Sequence, residues 1–355
     1  MNKKFGLFYC LALIVSLMTT SCGNSDSDLV GNWVVASTDF AGSTRGFASS
    51  FVVGNKLYVF GGYNGKDYYK DLWSLDLTSE DGSWTQQTAL DASTATVTNP
   101  ASAHYGRRYA AGFSIGTNGY IGGGSNGNDN LKDFWQYDTQ ANKWTQIADF
   151  PSTGRYGCYA FTLNNVGYVG GGYGDNPDAS GQSFFSDLYS YDPSLKSWKQ
   201  MESQGRKRGF ASVFVINNTA YIFGGNNSSG AATDMWAFDG TKWTPKNEIY
   251  NKTDQSFDDD YTTIARYQAA TFVINGKGYV TCGTSGSSLL KYTWEYNPIT
   301  DLWQEKTSFE KSPRYGAIGA TTANGVGIVL TGYNGSAYLD DANLFYPDAT
   351  YNKND

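Results

Sequence analysis

The residue types that could carry out chemistry are few, and histidine is the scarcest of them. His104 is the only histidine among the 355 residues, so mechanisms and metal sites that need two imidazoles are excluded. A Ser-His-Asp hydrolase would have to use His104, which stands in a long polar segment without a supporting motif. Carboxylate pairs of the glycosidase type stay open, because many aspartates border loops. Several of these, however, recur at fixed positions (Asp71, Asp133, Asp187 and Asp234), which favours a structural role.

Arginine and tyrosine form a more informative set, because both recur at intervals along the chain. Arginine offers a planar donor fork for carboxylates, and tyrosine offers a flat apolar face with a hydroxyl group. We therefore predict a ligand site made of two rings of residues. The first ring consists of Arg45, Arg108, Arg155, Arg208, Arg266 and Arg314 with Tyr109, Tyr156, Tyr267 and Tyr315 beside them. The second ring consists of Tyr63, Ser125, Tyr173, Asn226, Thr284 and Tyr333, each at the end of a strand.

Both rings have a structural alternative. Each arginine could instead pin an incoming loop through buried hydrogen bonds, and the aromatic rings could pack between sheets. The loops Asn126–Asn130 and Asp258–Asp260 contain ligand types that suit Ca²⁺, but acidic loops of this kind are usually just solvated. We therefore expect no metal.

The elements that position these residues form an internal repeat of about 50 residues. Its first copy runs from Arg45 through a Gly54-Asn55 turn to Gly61-Gly62, then through an aromatic strand that starts at Asp71 to a lone Trp84. Each copy is typical of four short strands joined by tight turns, and the pattern occurs six times. Four strands per unit, repeated radially, predict a β-propeller blade.

The pattern resembles the Kelch repeat over residues 32–347, including an arginine, a hairpin, a Gly-Gly pair and a tryptophan strand. The resemblance implies an all-β, six-bladed Kelch β-propeller in which the two predicted rings border one mouth. Copies five and six depart from it, with Cys282-Gly283 and Thr331-Gly332 in place of Gly-Gly. The family includes galactose oxidase, whose copper site needs two histidines. His104 alone cannot supply that site, and we expect no cofactor.

The tryptophans predict how the ring closes. The sixth copy ends without its tryptophan strand, whereas an orphan strand with Trp33 precedes the first copy. We predict that Asn32–Val35 completes blade six and removes the free sheet edge. The innermost strands carry small residues three positions after each arginine, with Cys158 in the place of alanine, so a disulfide is not expected. That column is Ala48, Ala111, Cys158, Ala211, Ala269 and Ala317.

The first residues are typical of an export signal. Lys3 and Lys4 precede an apolar run that ends before Cys22, which resembles a bacterial lipoprotein signal. We predict a signal peptide over 1–21, lipidation at Cys22, a tether over 22–31, and a tail over 348–355. An ordinary secretory signal is the alternative. The location would be the bacterial outer membrane, facing the periplasm or the cell surface.

Charge limits the partners. The formal charge of −7 becomes −9 when Lys3 and Lys4 leave with the signal, which disfavours nucleic acid. We expect a monomer that meets the membrane only through its lipid.

Long loops indicate the working face. The segments Leu90–Gly106, Tyr173–Ser186 and Pro245–Ala265 should emerge on the same face as the two rings. We predict a non-catalytic binding module for a glycan or another envelope protein. A cofactor-free carbohydrate enzyme, such as a sialic-acid mutarotase of the Kelch family, is the alternative implied by the resemblance, and a purely structural scaffold is a third.

Overall fold

The computed structural model of the chain describes residues 29–249 and 261–354. The predicted signal peptide, Cys22, most of the predicted tether and Asp258–Asp260 lie outside these residues. Lipidation and an outer-membrane location therefore stay predictions. Within the described ranges, no helix combines the length and the apolar character that a bilayer span needs.

Regular structure in the described residues is almost entirely β, apart from a short 3₁₀ helix at Tyr261–Thr263. The first half of the chain contains β1 (Val30–Val35), β2 (Ser49–Val53), β3 (Lys56–Phe60), β4 (Leu72–Asp76), β5 (Trp84–Gln87), β6 (Ala111–Ile115), β7 (Asn118–Gly122), β8 (Phe134–Asp138), β9 (Lys143–Ile147), β10 (Arg155–Tyr156), β11 (Tyr159–Leu163), β12 (Val166–Gly170), β13 (Tyr173–Asp175) and β14 (Gln182–Phe184). The second half contains β15 (Leu188–Asp192), β16 (Ser197–Met201), β17 (Ser212–Ile216), β18 (Thr219–Phe223), β19 (Asn226–Asn227), β20 (Gly230–Ala231), β21 (Met235–Phe238), β22 (Trp243–Pro245), β23 (Ala270–Ile274), β24 (Lys277–Thr281), β25 (Thr284–Ser285), β26 (Ser288–Leu289), β27 (Thr293–Asn297), β28 (Leu302–Lys306), β29 (Ile318–Thr321), β30 (Gly327–Leu330) and β31 (Ala342–Thr350).

Twenty-four of these strands form six four-stranded antiparallel sheets, which we call blades 1 to 6, and the other seven form three small sheets in the connecting loops. From the inside outwards the blades are β2-β3-β4-β5, β6-β7-β8-β9, β11-β12-β15-β16, β17-β18-β21-β22, β23-β24-β27-β28 and β29-β30-β31-β1. The innermost strands of successive blades contact one another from β2 through to β29. The predicted all-β propeller is therefore confirmed.

The N-terminal strand is the outermost strand of blade 6. β1 pairs antiparallel with β31, and Trp33 stands opposite Phe345. The pairing reaches further than the sequence analysis predicted, because Val30 pairs with Thr350. Val30 and Gly31, predicted as tether, and residues 348–350, predicted as tail, are thus part of the sheet.

The core lies between the blades, where alternate residues of each strand are buried. β6, β11, β17 and β23 share one pattern in which every second side chain is buried. Between blades 1 and 6, Leu57 and Val59 join Ile328 and Leu344 in one apolar cluster. Such inter-blade clusters bury each sheet on both faces, which is why a single blade is not an independent unit.

The Gly-Gly pair ends the second strand of each repeat in a left-handed conformation, and its two positions differ in tolerance. A Cβ at Gly62 would lie 2.9 Å from the carbonyl oxygen of Gly46, so this second position admits glycine only. The first position holds Cys282 at φ 60° and Thr331 at φ 61° in two repeats. These two departures therefore keep the backbone path at the cost of some local strain.

The long loops do not all overhang the mouth. Leu90–Gly106 instead runs along the outer strand of blade 2, where the Gln146 amide donates to the Thr96 carbonyl at 2.8 Å. This segment thus covers a sheet edge that would otherwise be open. After residue 260, Tyr261 is buried, and its hydroxyl donates to the carbonyl of Trp303 at 2.8 Å.

Closure by β1 gives a direct stability prediction. Trp33→Ala should lower the free energy of unfolding by about 3–5 kcal/mol, since the ring is buried against Phe345 and Phe309 and its Nε1 donates to the Thr307 carbonyl at 3.1 Å. Val35→Ala, on the same strand but 46% exposed, should change it by about 0.5 kcal/mol. Denaturant unfolding of both variants measures the difference. Equal losses would contradict the closing role of β1.

Candidate functional site

Buried arginines form the frame around the axis, and their placement corrects the predicted ring. Arg45, Arg155, Arg208, Arg266 and Arg314 are at most 1% exposed. The corresponding residue of blade 2 is Arg107 rather than Arg108, because Arg107 Nη1 donates to the carbonyl of Gly123, sixteen residues on, as Arg45 Nη1 does to Gly61. These six side chains lie inside the blades and not at the mouth.

Each buried guanidinium but one pairs with a repeat aspartate. Arg107 donates to both carboxylate oxygens of Asp133 at 2.8 Å, and both side chains are fully buried. The other pairs are Arg45–Asp71, Arg155–Asp187, Arg208–Asp234 and Arg314–Asp341. This geometry fits the structural alternative, in which these arginines hold the incoming loops through buried hydrogen bonds. The small-residue column shifts with Arg107, so Ala110 replaces Ala111 in it.

Electrostatics in this frame follow from the pairing. Burial by itself would raise the pKa of the Asp133 carboxyl, but the charge and hydrogen bonds of Arg107 lower it below its ordinary value. In blade 5 the aspartate position holds no acid, since Tyr292 stands there and its carbonyl accepts a hydrogen bond from Arg266 at 2.8 Å. Burial lowers the pKa of Arg266 to about 10.

A closed belt of backbone hydrogen bonds surrounds the axis above this frame. It joins the residues two positions after the arginines: Phe47, Tyr109, Gly157, Phe210, Gln268 and Gly316. Each amide donates to the carbonyl of a neighbouring blade at 2.6–3.1 Å, and the Phe47 amide closes the circle on Gly316 at 2.8 Å. All six residues have positive φ, between 55° and 65°. The belt therefore links each blade to the next by the same contact.

Three aromatic rings of the belt cover the axis. Phe47 and Tyr109 lie 4.6 Å apart, and Tyr109 and Phe210 lie 5.0 Å apart. A Cβ at Gly316 would lie 2.1 Å from Phe47, and one at Gly157 would lie 2.5 Å from Phe210, so these glycines leave room for the rings. Left-handed backbone at a bulky residue costs about 1–2 kcal/mol. We call Phe47, Tyr109 and Phe210 the aromatic floor.

Arg108 lies beside this floor and differs from the buried arginines. Its guanidinium carbon lies 4.8 Å from the ring centre of Tyr63 and 5.3 Å from that of Tyr109. Within the described ranges, it forms no ion pair, and its Nε is buried without a hydrogen-bond partner. A guanidinium without a carboxylate partner, held against aromatic faces, is well placed to bind an anion by donating hydrogen bonds to it.

A polar cleft of about 350 Å³ opens from Arg108 towards the junction of blades 2 and 3. Its walls carry amide, hydroxyl and carboxylate groups: Ser125, Asn128, Asp129, Asn130, Tyr156, Asp175 and Gln182. The Asn130 amide donates to Asp175 at 2.8 Å, and His104 Nε2 lies 3.9 Å from an Asp129 oxygen. Donors and acceptors at this density suit a ligand with several hydroxyl groups.

The two predicted rings are partly brought together. The second ring pairs with the residues next to the arginines by backbone bridges, for example Arg108 with Ser125 and Tyr315 with Tyr333. Six of the predicted tyrosines join one network of ring contacts: Tyr63, Tyr109, Tyr156, Tyr173, Tyr315 and Tyr333. Tyr267 and Asn226 occupy the same rings of backbone bridges but make no ring contact with that network in the described residues.

Sequence analysis missed five members of this network: Phe47, Tyr68, Phe184, Phe210 and Tyr338. Four of them had a signal. Once Arg107 is taken as the repeat arginine, Phe47 and Phe210 fall in the same column as Tyr109. Tyr68 and Tyr338 lie in short turns that pair with Tyr63 and Tyr333, and both end a Tyr-Asn-Gly-x-x-Tyr segment that blades 1 and 6 share.

No metal centre emerges from the described part of the chain, where no three His, Cys, Asp or Glu side chains cluster suitably. The Asn126–Asn130 loop uses its oxygens internally, since Asn126 Oδ1 accepts the amides of Asn128 and Asp129. Cys158 and Cys282 are free thiols, and burial raises their pKa values to about 12 and about 11. Neither is set up as a nucleophile.

Comparison with known families matches residues 33–209 to the KLHDC2/KLHL20/DRC7 Kelch-repeats domain. The chain belongs to the Kelch-repeat family. This Kelch protein is similar to an N-acetylneuraminate epimerase of Yersinia enterocolitica, with 28% identity over 56% of the chain and 55% of that relative. A second protein of that name, from Escherichia coli O1:K1, is 30% identical over 58% of the chain and 48% of its own length.

A relative with a different name matches more of the Kelch protein. Kelch domain-containing protein 3 of Rattus norvegicus is 24% identical over 75% of the chain and 71% of its own length. The chain spans about half the length of the two epimerases. Their name therefore describes those relatives and not this Kelch protein.

The adjacent arginines of blade 2 give a matched pair of variants. Arg107→Ala should lower the free energy of unfolding by about 3–5 kcal/mol, because it leaves the Asp133 carboxylate buried and unpaired. Arg108→Ala should cost about 1 kcal/mol, the scale of its aromatic contacts. Denaturant unfolding measures both. Equal losses would show that Arg108 is also part of the frame.

Proposed function

We propose that this Kelch protein binds an acidic sugar at the mouth beside the aromatic floor. The single observation that carries the proposal is the guanidinium of Arg108, which is held against Tyr63 and Tyr109 and has no carboxylate partner in the described residues. A carboxylate ligand would supply the missing partner through a bidentate, charge-assisted hydrogen bond. The protein has a formal net charge of −7, so the positive charge of Arg108 is a local exception on an acidic molecule.

The walls of the cleft support a sugar rather than a simple anion. Asp129 and Asp175 lie in the same cleft as Arg108, and their carboxylates accept hydroxyl donors. A small inorganic anion would gain nothing from these acids and would be repelled by them. A polyhydroxylated ring with one carboxylate fits both features: its carboxylate accepts from Arg108, and its hydroxyl groups donate to Asp129 and Asp175. Tyr156, which also lines the cleft, adds an aromatic face on which a sugar ring can stack.

The test compares an acid with its uncharged ester. N-acetylneuraminate should bind to the intact protein, as measured by calorimetry, and its methyl ester should bind about 10- to 100-fold more weakly, because the ester lacks the charge that pairs with Arg108. Arg108→Gln should weaken binding of the acid by a similar factor. The control is Arg206→Gln, which changes a side chain that is 68% exposed outside this cleft.

Two outcomes of that experiment oppose the proposal. If acid and ester bind equally, the carboxylate is not recognised by a cation. If Arg206→Gln weakens binding as much as Arg108→Gln does, the mouth is not the site.

A second candidate is the interconversion of the anomers of an acidic sugar at the same place. It is favoured by Asp129 and Asp175, two carboxyl groups in the cleft that contains Arg108, and by the names of the two epimerase relatives. One carboxylate would take the proton from the anomeric hydroxyl while a carboxylic acid protonates the ring oxygen, so the ring C–O bond breaks. Reclosure on the other face, with both protons returned, gives the second anomer and needs no cofactor.

Saturation-transfer NMR on N-acetylneuraminate separates this candidate from binding alone. A catalyst should raise the anomeric exchange rate above that of buffer, and Asp129→Asn or Asp175→Asn should lower the enzymatic rate about 100-fold. Asp138→Asn, in a hairpin on the other face, serves as the control, and it should leave the rate unchanged. An exchange rate equal to that of buffer would refute catalysis while leaving the binding proposal intact.

A further inference from the structure

The cleft that begins at Arg108 continues into a second cavity. The second cavity has a volume of about 530 Å³ and extends outwards over the junction of blades 2 and 3 to His104 and Thr153. Both cavities are bordered by the same three residues, Asp129, Asn130 and Asp175. Binding pockets for small ligands span about 300–1,000 Å³, so each lobe is large enough for a ligand unit of its own. We call them the inner lobe, at Arg108, and the outer lobe, at His104.

The wall between the lobes is a built feature of two neighbouring blades. The Asn130 amide of blade 2 donates to Asp175 of blade 3 at 2.8 Å, which ties the two loops together. On the blade 2 side, Asn126 Oδ1 accepts the amide of Asp129 at 2.7 Å and fixes the loop that carries that carboxylate. The two carboxylates are therefore held where groups in either lobe can reach them.

The outer lobe differs from the inner lobe in chemistry. It has no arginine, and its walls combine small apolar groups such as Ala101 with the ammonium group of Lys132 and the imidazole of His104. Backbone approaches closely at its floor, because a Cβ at Gly154 would lie 2.0 Å from the carbonyl oxygen of Asn130. A neutral ring with hydroxyl groups suits these walls better than a second acid does, since the two carboxylates of Asp129 and Asp175 outnumber the single ammonium group of Lys132.

We infer that the ligand is an acidic oligosaccharide, with its acidic unit at Arg108 in the inner lobe and the adjoining neutral unit in the outer lobe at His104. This inference rests on the proposed function, since it takes the inner lobe as the site of the acid. It also separates the two candidate functions. A glycosidic bond at the anomeric carbon of the acidic unit removes the hydroxyl that anomer interconversion requires.

The experiment compares a trisaccharide with the matching monosaccharide. The probes are sialyllactose and the α-methyl glycoside of N-acetylneuraminate, which share the acidic unit and its blocked anomeric carbon. Sialyllactose should bind at least about 10-fold tighter, the gain expected from about 1.4 kcal/mol of added contacts. Lactose alone, which lacks the acid, should bind far more weakly than either probe.

A filling substitution tests which lobe supplies the gain. Ala101→Trp places a large side chain in the outer lobe from an exposed position, and it should abolish the extra affinity for sialyllactose while leaving the methyl glycoside unchanged. Ala141→Trp, also exposed but in the hairpin between β8 and β9, is the control for adding a tryptophan, and it should leave both affinities unchanged.

The contrary results are distinguishable. Equal affinities for the two probes, with both still weakened by Arg108→Gln, would overturn the two-lobe inference and leave the acidic-sugar proposal standing. A gain that survives Ala101→Trp would place the neutral unit elsewhere and would likewise overturn the inference. Failure of both probes to bind would overturn the proposed function, and this inference with it.

Discussion

The closed belt of six backbone hydrogen bonds around the axis is the constraint on which the rest of the structure depends. Each bond joins one blade to the next, and the last joins Phe47 to Gly316, so the ring has no loose end. The donors reach their acceptors only because all six residues adopt positive φ. Glycine adopts that conformation without cost, and the chain uses it twice, at Gly157 and Gly316. The three residues of the aromatic floor adopt positive φ where glycine would do so with less strain. Backbone strain of this kind clusters at functional sites.

The buried arginines and Arg108 have different roles: the buried arginines support the fold, and Arg108 is the proposed ligand-binding residue. The frame arginines hold the ends of the inner strands, and each is desolvated, so all but Arg266 need an aspartate to offset burial. In the five paired arginines the charge is offset by the aspartate within the frame. Arg108 is one residue beyond the frame and forms a β-bridge with Ser125, and consecutive side chains of extended backbone point to opposite faces. Unlike those five arginines, Arg108 has no carboxylate partner in the described residues.

The repeated features were predictable from sequence, and features of single blades were not. Six copies of one spacing determined the strands, the antiparallel sheets and the pairing of Trp33 with the last strand. The arginine of blade 2 was misassigned because Arg107 and Arg108 are adjacent, and a shift of one residue exchanges a buried side chain for one at the mouth. The course of Leu90–Gly106 along blade 2 depends on long-range pairing with Gln146, which no local pattern encodes.

A crystal structure of the protein with the α-methyl glycoside of N-acetylneuraminate would test the central claim most directly. The account predicts that the sugar carboxylate lies about 2.7–2.9 Å from the guanidinium nitrogens of Arg108, with the sugar ring against Tyr156 in the same cleft. The buried arginines should keep their aspartates and touch no part of the ligand. A sugar bound on the opposite face of the propeller, or one at the mouth whose carboxylate ignores Arg108, would contradict it.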